Sequence, residues 1–424
     1  MRMWLTAMAA MCAACETSAG GTRRISLAEF RDRMEGAWLG QSIGVVYGSP
    51  AEAKWNGVLV PEDKMPVWTP ELINGTFGQD DLFADMFFIQ TLERHGLDVS
   101  CRRAGIDFAN SEFILWGANY IGRNNIRRGI AAPASSHPSF HTSPDGIDYQ
   151  IEADYSGILA PGIPQAAVDL GEIFGRIMNY GDGLYGGQFV GAMYANAYFE
   201  SNRVKVVREA LRAIPAESKY AGMVRDMLAW HEASPQDWKG TWAKAVAKYG
   251  RASGPLAGVV AFRPIEVKIN GAMLLLGLLY GEGDMARTMR IATSGGYDTD
   301  CNTSSACGVL GVLLGAKRID GRYVASLSRT TKWRFTEYDW NGLMKASEDL
   351  ARKIVVRYGG RVENDSSSGE CLVVPVRPPR PSALADSRNP GPVPADAKLT
   401  EEEMREILFL PSEKEGKPSV RKMH

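Results

Sequence analysis

Gly295-Gly296-Tyr297-Asp298-Thr299-Asp300-Cys301-Asn302 runs directly into Thr303-Ser-Ser-Ala-Cys-Gly-Val-Leu-Gly-Val-Leu-Leu-Gly-Ala316, a stretch without a charge. The spacing predicts a helix over 302–316 with two carboxylates at its start. Gly308, Gly311 and Gly315 sit inside that pattern, where each costs about 1 kcal/mol against Ala. Such a cost persists where backbones pack closely, so the helix is expected to be central and to cross a neighbour at short distance. Asn270–Tyr280, with Gly271 and Gly277, has the same character. Glycine is abundant throughout, at 45 residues in a chain of 424.

Working outward, 3.6-residue periodicity dominates. Ser26 to Gly40 reads as an amphipathic helix with Ser26 as N-cap, Glu29 at the capping-box position and Phe30, Met34, Ala37 and Trp38 on one face. Asp81 to His95 is a second helix, stopped by Gly96. Gly187–Glu200, Val204–Arg212, Tyr220–Ala233 and Trp238–Tyr249 follow. Period-2 alternation is nearly absent before residue 370, and Cys371–Val376 is the one expected strand. The fold class is therefore all-α. A catalytic domain is expected over 26–358. A Pro/Ser-rich C-terminal extension follows over 359–424, an appendage or extended arm in which Glu401–Glu403 opens a final short helix.

Charge excludes one class of partner. With 48 Lys plus Arg against 49 Asp plus Glu, the net charge of −1 offers no basic excess for nucleic acid. Five His are too few for a multi-histidine metal cluster, so the chemistry must rest on carboxylates. His137 and His141 are four apart, but Pro138 and Pro144 deny them a helix and no Glu follows His137, which excludes a zincin site.

The first twenty residues differ from the rest. Arg2 precedes an apolar stretch to Ala14, and Cys15 follows Ala13-Ala14, as in an export leader with a lipobox, although Cys12 stands where Leu is usual. The reading is an exported protein of the periplasm or cell surface, with a lipid anchor as its only membrane contact. A plain secretory signal and a start codon placed too far upstream are the alternatives. Beyond this leader only four Cys remain, with no Cys-x-x-Cys, too sparse for a disulfide framework.

Two acid pairs stand at helix starts: Gln79-Asp80-Asp81 and Asp298-x-Asp300. Capping needs one acid, whereas each start carries two. Four carboxylates brought together would hold their protons unless a cation neutralised them, and oxygen ligands suit Mg²⁺, Mn²⁺ or Ca²⁺. Asp298-x-Asp300-x-Asn302 is not an EF-hand, because Thr303 and Val309 occupy the required Gly and Glu positions. In Ile177–Gln188, Tyr180, Asp182 and Tyr185 lie among four glycines and offer stacking faces and a carboxylate for a sugar; a helix-connecting turn with Asp182 as N-cap is the structural alternative. Glu152 and Asp154 are further substrate-binding candidates.

The Gly-Gly-x-Asp-Thr-Asp-x-Asn heading, with Asp80-Asp81 upstream, resembles the ADP-ribosylglycohydrolase family, which contains the dinitrogenase-reductase-activating glycohydrolases. Gly36-x-x-x-Gly40-x-x-x-Gly44 running into Gly48-Ser49-Pro50-Ala51-Glu52 resembles the family's opening helix and loop, and Ala153–Pro161 more loosely resembles its substrate-side loop. The similarity spans about 30 to 320. It implies an orthogonal helical bundle with one or two Mg²⁺ (or Mn²⁺) ions in a central cleft. Their ligands would be Gln79, Asp80, Asp81, Asp298, Asp300 and Cys301. Catalytic carboxylates would be Glu52 or the metal-held Asp81 and Asp300. Gln79 and Cys301 replace the family's threonines, and a thiol is a poor partner for Mg²⁺. Ile158 and Leu159 replace an Arg-Met pair often found before Ala-Pro, which removes a phosphate contact. The expected activity is thus hydrolysis of an O- or N-glycosyl bond, furanose- or ribose-like, in a small glycoside or glycan. A true ADP-ribosyl-protein hydrolase and a non-catalytic carbohydrate-binding surface lipoprotein are the alternatives. A monomer or small homo-oligomer is expected.

Overall fold

The computed structural model describes residues 21–250, 265–367 and 369–408. The leader at 1–20, with Cys12 and Cys15, lies outside the described residues. Helices form the body, and the ones that place the site are α1 (Leu27–Gly48) and α2 (Asp80–His95), with the Val267–Tyr280 and Thr299–Leu314 helices packed against them. Ser26 caps α1, its side chain accepting from the Glu29 N–H at 3.2 Å. The helix continues past the expected end at Gly40 to Gly48, because the glycines after it are packing positions and not a stop.

The most extensive helix pair in the molecule is α1 with the Thr299–Leu314 helix. Their contact is a run of glycines at intervals of four. A Cβ at Gly36 would lie 2.4 Å from the Gly311 carbonyl oxygen; at Gly40, 2.1 Å from that of Cys307; at Gly44, 2.3 Å from that of Thr303; at Gly48, 2.1 Å from that of Thr299. As one number rises by four the other falls by four, so the helices are antiparallel along matched i±4 rows. The last step of this register is closed by the Thr299 Oγ1, which donates to the Gly48 carbonyl at 2.8 Å. The C-terminal end of α1 is thereby fixed beside Asp298 and Asp300. This meets the expectation of close crossing drawn from the glycine content.

The strand expectation is corrected. Gly369–Pro375 (β3) forms the centre of a small antiparallel sheet between Thr22–Ser26 (β1) and Arg361–Asp365 (β2), with Leu372 opposite both Ile25 and Val362. The two flanking strands are short, polar and partly exposed, so they carry no apolar alternation to read. Arg24 reaches across β3 to Glu363 at 2.9 Å and Asp365 at 3.3 Å.

Beyond β3 the chain runs back over the body. Ser387 Oγ donates to Asp145 Oδ2 at 2.6 Å, the Ala131 N–H to the Ala397 carbonyl at 2.8 Å, and the Leu399 N–H to that of Gly129 at 2.8 Å. Glu401–Arg405 forms the short final helix, capped by a Thr400/Glu403 capping box and gripped by Arg102, whose Nε and Nη2 donate to Glu403 at 2.5 and 2.6 Å. No disulfide links the four cysteines of the described residues. No helix among them is long and apolar enough to cross a membrane.

Candidate active site and metal centre

Four segments meet at one mouth. α2 presents Asp80 and Asp81 in its first turn, where exposed N–H groups favour negative charge. The Thr299–Leu314 helix presents Asp298 as N-cap and Asp300 in its first turn. The turn after α1 supplies Glu52, and Glu152 comes from the Asp148–Ile151 turn and its end. The Glu52 loop is zipped to the 294–297 loop: the Ala53 N–H donates to the Tyr297 carbonyl at 2.8 Å, Tyr297 N–H to that of Trp55 at 3.2 Å, and Val60 N–H to that of Ser294 at 3.0 Å. Gly296 makes this approach possible. Its φ is +73° and a Cβ there would lie 2.0 Å from the Trp55 oxygen.

One oxygen each from Glu52, Asp298 and Asp300 lie within 4.8 Å of one another, as do ligand atoms of Asp81, Asp300 and Cys301. Asp300 belongs to both sets and joins them. The Asp81 Oδ2, Asp298 Oδ1 and Asp300 Oδ1 are buried without a hydrogen-bond partner. Buried acceptors in native proteins are almost always satisfied, so three unpartnered carboxylate oxygens within one cluster of acids fit a cation. Among the acid–base side chains themselves the electrostatics agree. Burial first, then repulsion from Asp300 and Asp80, pushes the Glu52 carboxyl up to about 7. Burial likewise raises Asp298 to about 7, raises Asp80, and carries Asp81 and Asp300 well above the carboxylate range, with help from the charges of Asp80 and Asp300 on Asp81 and of Asp298 and Asp80 on Asp300.

Cys301 donates its S–H to Asp81 Oδ1 at 3.2 Å, and burial holds the thiol well above its usual range. It therefore enters the centre as a neutral donor orienting Asp81. Gln79 is the N-cap residue of α2, without a side-chain cap bond, at the edge of the mouth.

The substrate-binding candidates divide. Glu152 is buried facing the centre: its Oε1 accepts from Asn119, its Oε2 has no partner, and its charge acts on Asp81. Asp154 lies one layer deeper and is fully buried, accepting from Tyr194 OH at 2.9 Å, from Ser305 Oγ at 3.2 Å and from Gln41. The structure does not bring Tyr180, Asp182 and Tyr185 to the acid centre in any contact. Tyr180 OH accepts from the Gly391 N–H at 3.2 Å, and Tyr185 OH donates to the Ala383 carbonyl at 2.8 Å and accepts from Ala385 N–H at 2.7 Å. Asp182 accepts from Tyr220 N–H at 2.9 Å and faces Lys268 at 3.7 Å. It opens the Asp182–Ala197 helix, whose N-cap is Gly181. These three side chains hold the C-terminal arm and a helix junction. His137 and His141 bond the Gly391 and Ala118 carbonyls, as expected of structural residues.

Several site-building residues escaped sequence reasoning. Asn270 Oδ1 accepts from Asp298 N–H at 3.2 Å and from Asn302 Nδ2 at 2.9 Å, tying down the second acid loop. A lone Asn in the apolar run Val267–Tyr280 was the available signal. Asp148 caps the Ala118 and Asn119 N–H groups at 2.9 and 3.0 Å, and Asp85 lies one turn below Asp81, paired through Gln41 to Asp154.

The fold and site thus define a helical protein with carboxylates converging at two helix starts, a candidate acid-centred active site. Residues 26–359 match the family model for ADP-ribosylglycohydrolase, and the chain belongs to that family. It is an enzyme of the glycosyl hydrolase type. A solved structure titled "ADP-ribosylglycohydrolase-related protein complex" aligns with a TM-score of 0.47 at 15% identity, over 77% of this chain and 100% of that one. No curated protein matches the sequence.

Proposed function

We propose that this chain is a divalent-cation-dependent hydrolase that cleaves the anomeric bond of a furanose-like glycoside. The supporting observation is the meeting of Asp81, Asp298 and Asp300 beside Glu52, with three of their buried oxygens unpartnered and Asp80 near enough for its charge to act on Glu52, Asp81 and Asp300. In this reading Asp80, Asp81, Asp298 and Asp300 hold Mg²⁺ or Mn²⁺, one ion or two, which would bind vicinal hydroxyls and orient the sugar. Gln79 lends an amide oxygen at the rim, and Cys301 keeps Asp81 in place by its S–H. Glu52, at the open side with its carboxyl pushed up to about 7, accepts a proton from water as it attacks the anomeric carbon. The surrounding carboxylates stabilise positive charge developing on the ring. Glu152, buried at the wall, is placed to accept a hydrogen bond from a substrate hydroxyl.

Replacement of the family's Arg-Met pair by Ile158 and Leu159, both fully buried here, argues for a glycoside without a pyrophosphate. The leader-like 1–20 segment supports action outside the cytoplasm. The test is hydrolysis of aryl furanosides, nucleosides and ADP-ribosylated peptides by the full mature chain, with Mg²⁺ and with chelator. Chelator-sensitive turnover of a furanoside or nucleoside, abolished in Asp298→Asn and Asp300→Asn, is the expected result. Full activity in both variants contradicts the proposal; turnover of ADP-ribosyl peptides alone corrects its substrate.

A further inference from the structure

The acid centre offers two unlike places for an ion. One is made of oxygens alone, from Glu52, Asp298 and Asp300; the other adds the Cys301 sulfur to oxygens of Asp81 and Asp300. In each set the three ligand atoms lie within 4.8 Å of one another, and Asp300 is common to both. Hard cations such as Mg²⁺ and Ca²⁺ take oxygen ligands, whereas a thiolate suits zinc and its borderline neighbours. The two places therefore differ in the ion they select.

Geometry supports the sulfur place. Cys301 Sγ lies 3.2 Å from Asp81 Oδ1. Ligands on a tetrahedral zinc, with bonds of about 2.3 Å to sulfur and about 2.0 Å to oxygen, stand about 3.5 Å apart, nearly the spacing of these two atoms. Asp81 and Asp300 are each 4% exposed, and Asp81 Oδ2 and Asp300 Oδ1 have no hydrogen-bond partner. Two unpartnered acceptors at one buried corner fit positive charge, since the single S–H donor serves only Asp81 Oδ1. Nor does that hydrogen bond account for the sulfur, because a hydroxyl at the same position would donate it as well. An ion has a way in: Glu52 is exposed, and Gln79 and Asp80 are half-buried at the start of α2. No other cysteine of the described residues belongs to such a group.

We propose, resting on the cation-centre reading above, that the Asp81/Asp300/Cys301 corner is a zinc-type site. It takes Zn²⁺ or a borderline ion of that class in preference to Mg²⁺, while the Glu52/Asp298/Asp300 corner keeps the hard ion. On binding, the S–H bond breaks, sulfur keeps the electron pair and bonds the ion, and the proton leaves to solvent. No electron is transferred. Asp81 exchanges the S–H for the ion and keeps its place. Without such an ion Cys301 remains the neutral donor described above.

The test uses Co²⁺, whose bond to a thiolate gives a charge-transfer band in the near ultraviolet. The protein is the full chain carrying Cys12→Ser/Cys15→Ser, which silences the leader thiols, stripped of metal by chelator. With Mg²⁺ in excess, Co²⁺ should raise the band to one equivalent per chain. Zn²⁺ should abolish it at concentrations where Mg²⁺, about a hundredfold higher, does not. Cys301→Ser should lose the band and weaken Co²⁺ binding by more than the roughly ten- to hundredfold typical of outer-shell changes. Mn²⁺ binding at the oxygen corner, read by paramagnetic resonance, should survive in that variant, and Cys101→Ser should leave the band intact. Should the Cys301 variant fail to fold, the band of the parent chain alone decides. Absence of the band at saturating Co²⁺, its retention in Cys301→Ser, or displacement by Mg²⁺ as readily as by Zn²⁺ overturns the proposal. If Mn²⁺ still binds in that event, only the zinc-type corner falls; if Mn²⁺ does not bind either, the cation centre itself falls.

Discussion

Gly44→Ala sets two physical effects against each other with opposite signs. Helix propensity alone predicts a gain of about 1 kcal/mol. The structure predicts a loss, because the new Cβ would lie 2.3 Å from the Thr303 oxygen and 2.6 Å from its carbonyl carbon, where ordinary contact begins near 3.4 Å. Relief requires about 1 Å of separation between two backbones that are locked at neighbouring steps by Gly40 and Gly48. Overpacking of that kind costs roughly 1–3 kcal/mol and sometimes more, and backbone-to-backbone clashes belong at the upper end. A net loss of about 2 kcal/mol corresponds, for a chain of this length, to a melting temperature lower by roughly 2–3 °C. Gly222→Ala is the internal control: it is mid-helix, and its Cβ would meet only Arg225 Nη2 at 3.9 Å, so propensity should win there. Thermal melts of the two variants beside the parent decide the matter. Gly44→Ala should also weaken Mn²⁺ binding, since the same register positions Asp298 and Asp300. If Gly44→Ala melts as high as Gly222→Ala, the glycine register does not hold the centre together.

Other expectations follow from the same geometry. A buried carboxyl raised from 3.8 to about 7, as at Asp298, favours the fold in full below about pH 4 and loses that contribution as pH rises through 7, ~4 kcal/mol for this one group. In chelator the melting temperature should therefore fall from about pH 5 to about pH 8. Saturating Mg²⁺ should restore it at the higher pH and do little at the lower, as differential scanning calorimetry can show. Asn270→Ala leaves the buried Asp298 N–H unpaired and should cost roughly 1–3 kcal/mol together with a weaker cation affinity, read by melts and Mn²⁺ titration. Cys301→Ser keeps a donor to Asp81 and should retain or improve Mg²⁺ affinity, whereas Cys301→Ala should weaken it about tenfold.

The close packing of the Thr299–Leu314 helix was legible from Gly308 and Gly311, whereas its partner was not: the glycines at 40, 44 and 48 read as a helix stop and a loop until the structure set them against 307, 303 and 299. The acid pairs were legible because two carboxylates at one helix start exceed what capping uses. Residues whose role depends on a third element were not. Asn270 and Asp85 look like isolated polar residues in apolar helices until the fold sets Asp298 and Gln41 against them. Tyr180, Asp182 and Tyr185 stand in other contacts than the acid centre for the converse reason. Aromatics and a carboxylate among glycines suit a sugar, but they equally suit a returning chain: Tyr180 and Tyr185 hold the arm at 383–391, and Asp182 holds the Tyr220 N–H at a helix junction. Nothing local in the arm declares where it docks, because its partners are side chains and backbone groups far away in sequence.

The most direct measurement is Mn²⁺ binding by the full chain, followed by paramagnetic resonance, beside the Asp80→Asn/Asp300→Asn variant. Saturable binding that Mg²⁺ competes away, and that the variant loses by about a hundredfold or more while keeping its helical signature, is the result expected. Absence of binding at millimolar Mn²⁺, or equal binding by the variant, would contradict the claim that the two acid pairs form one cation site.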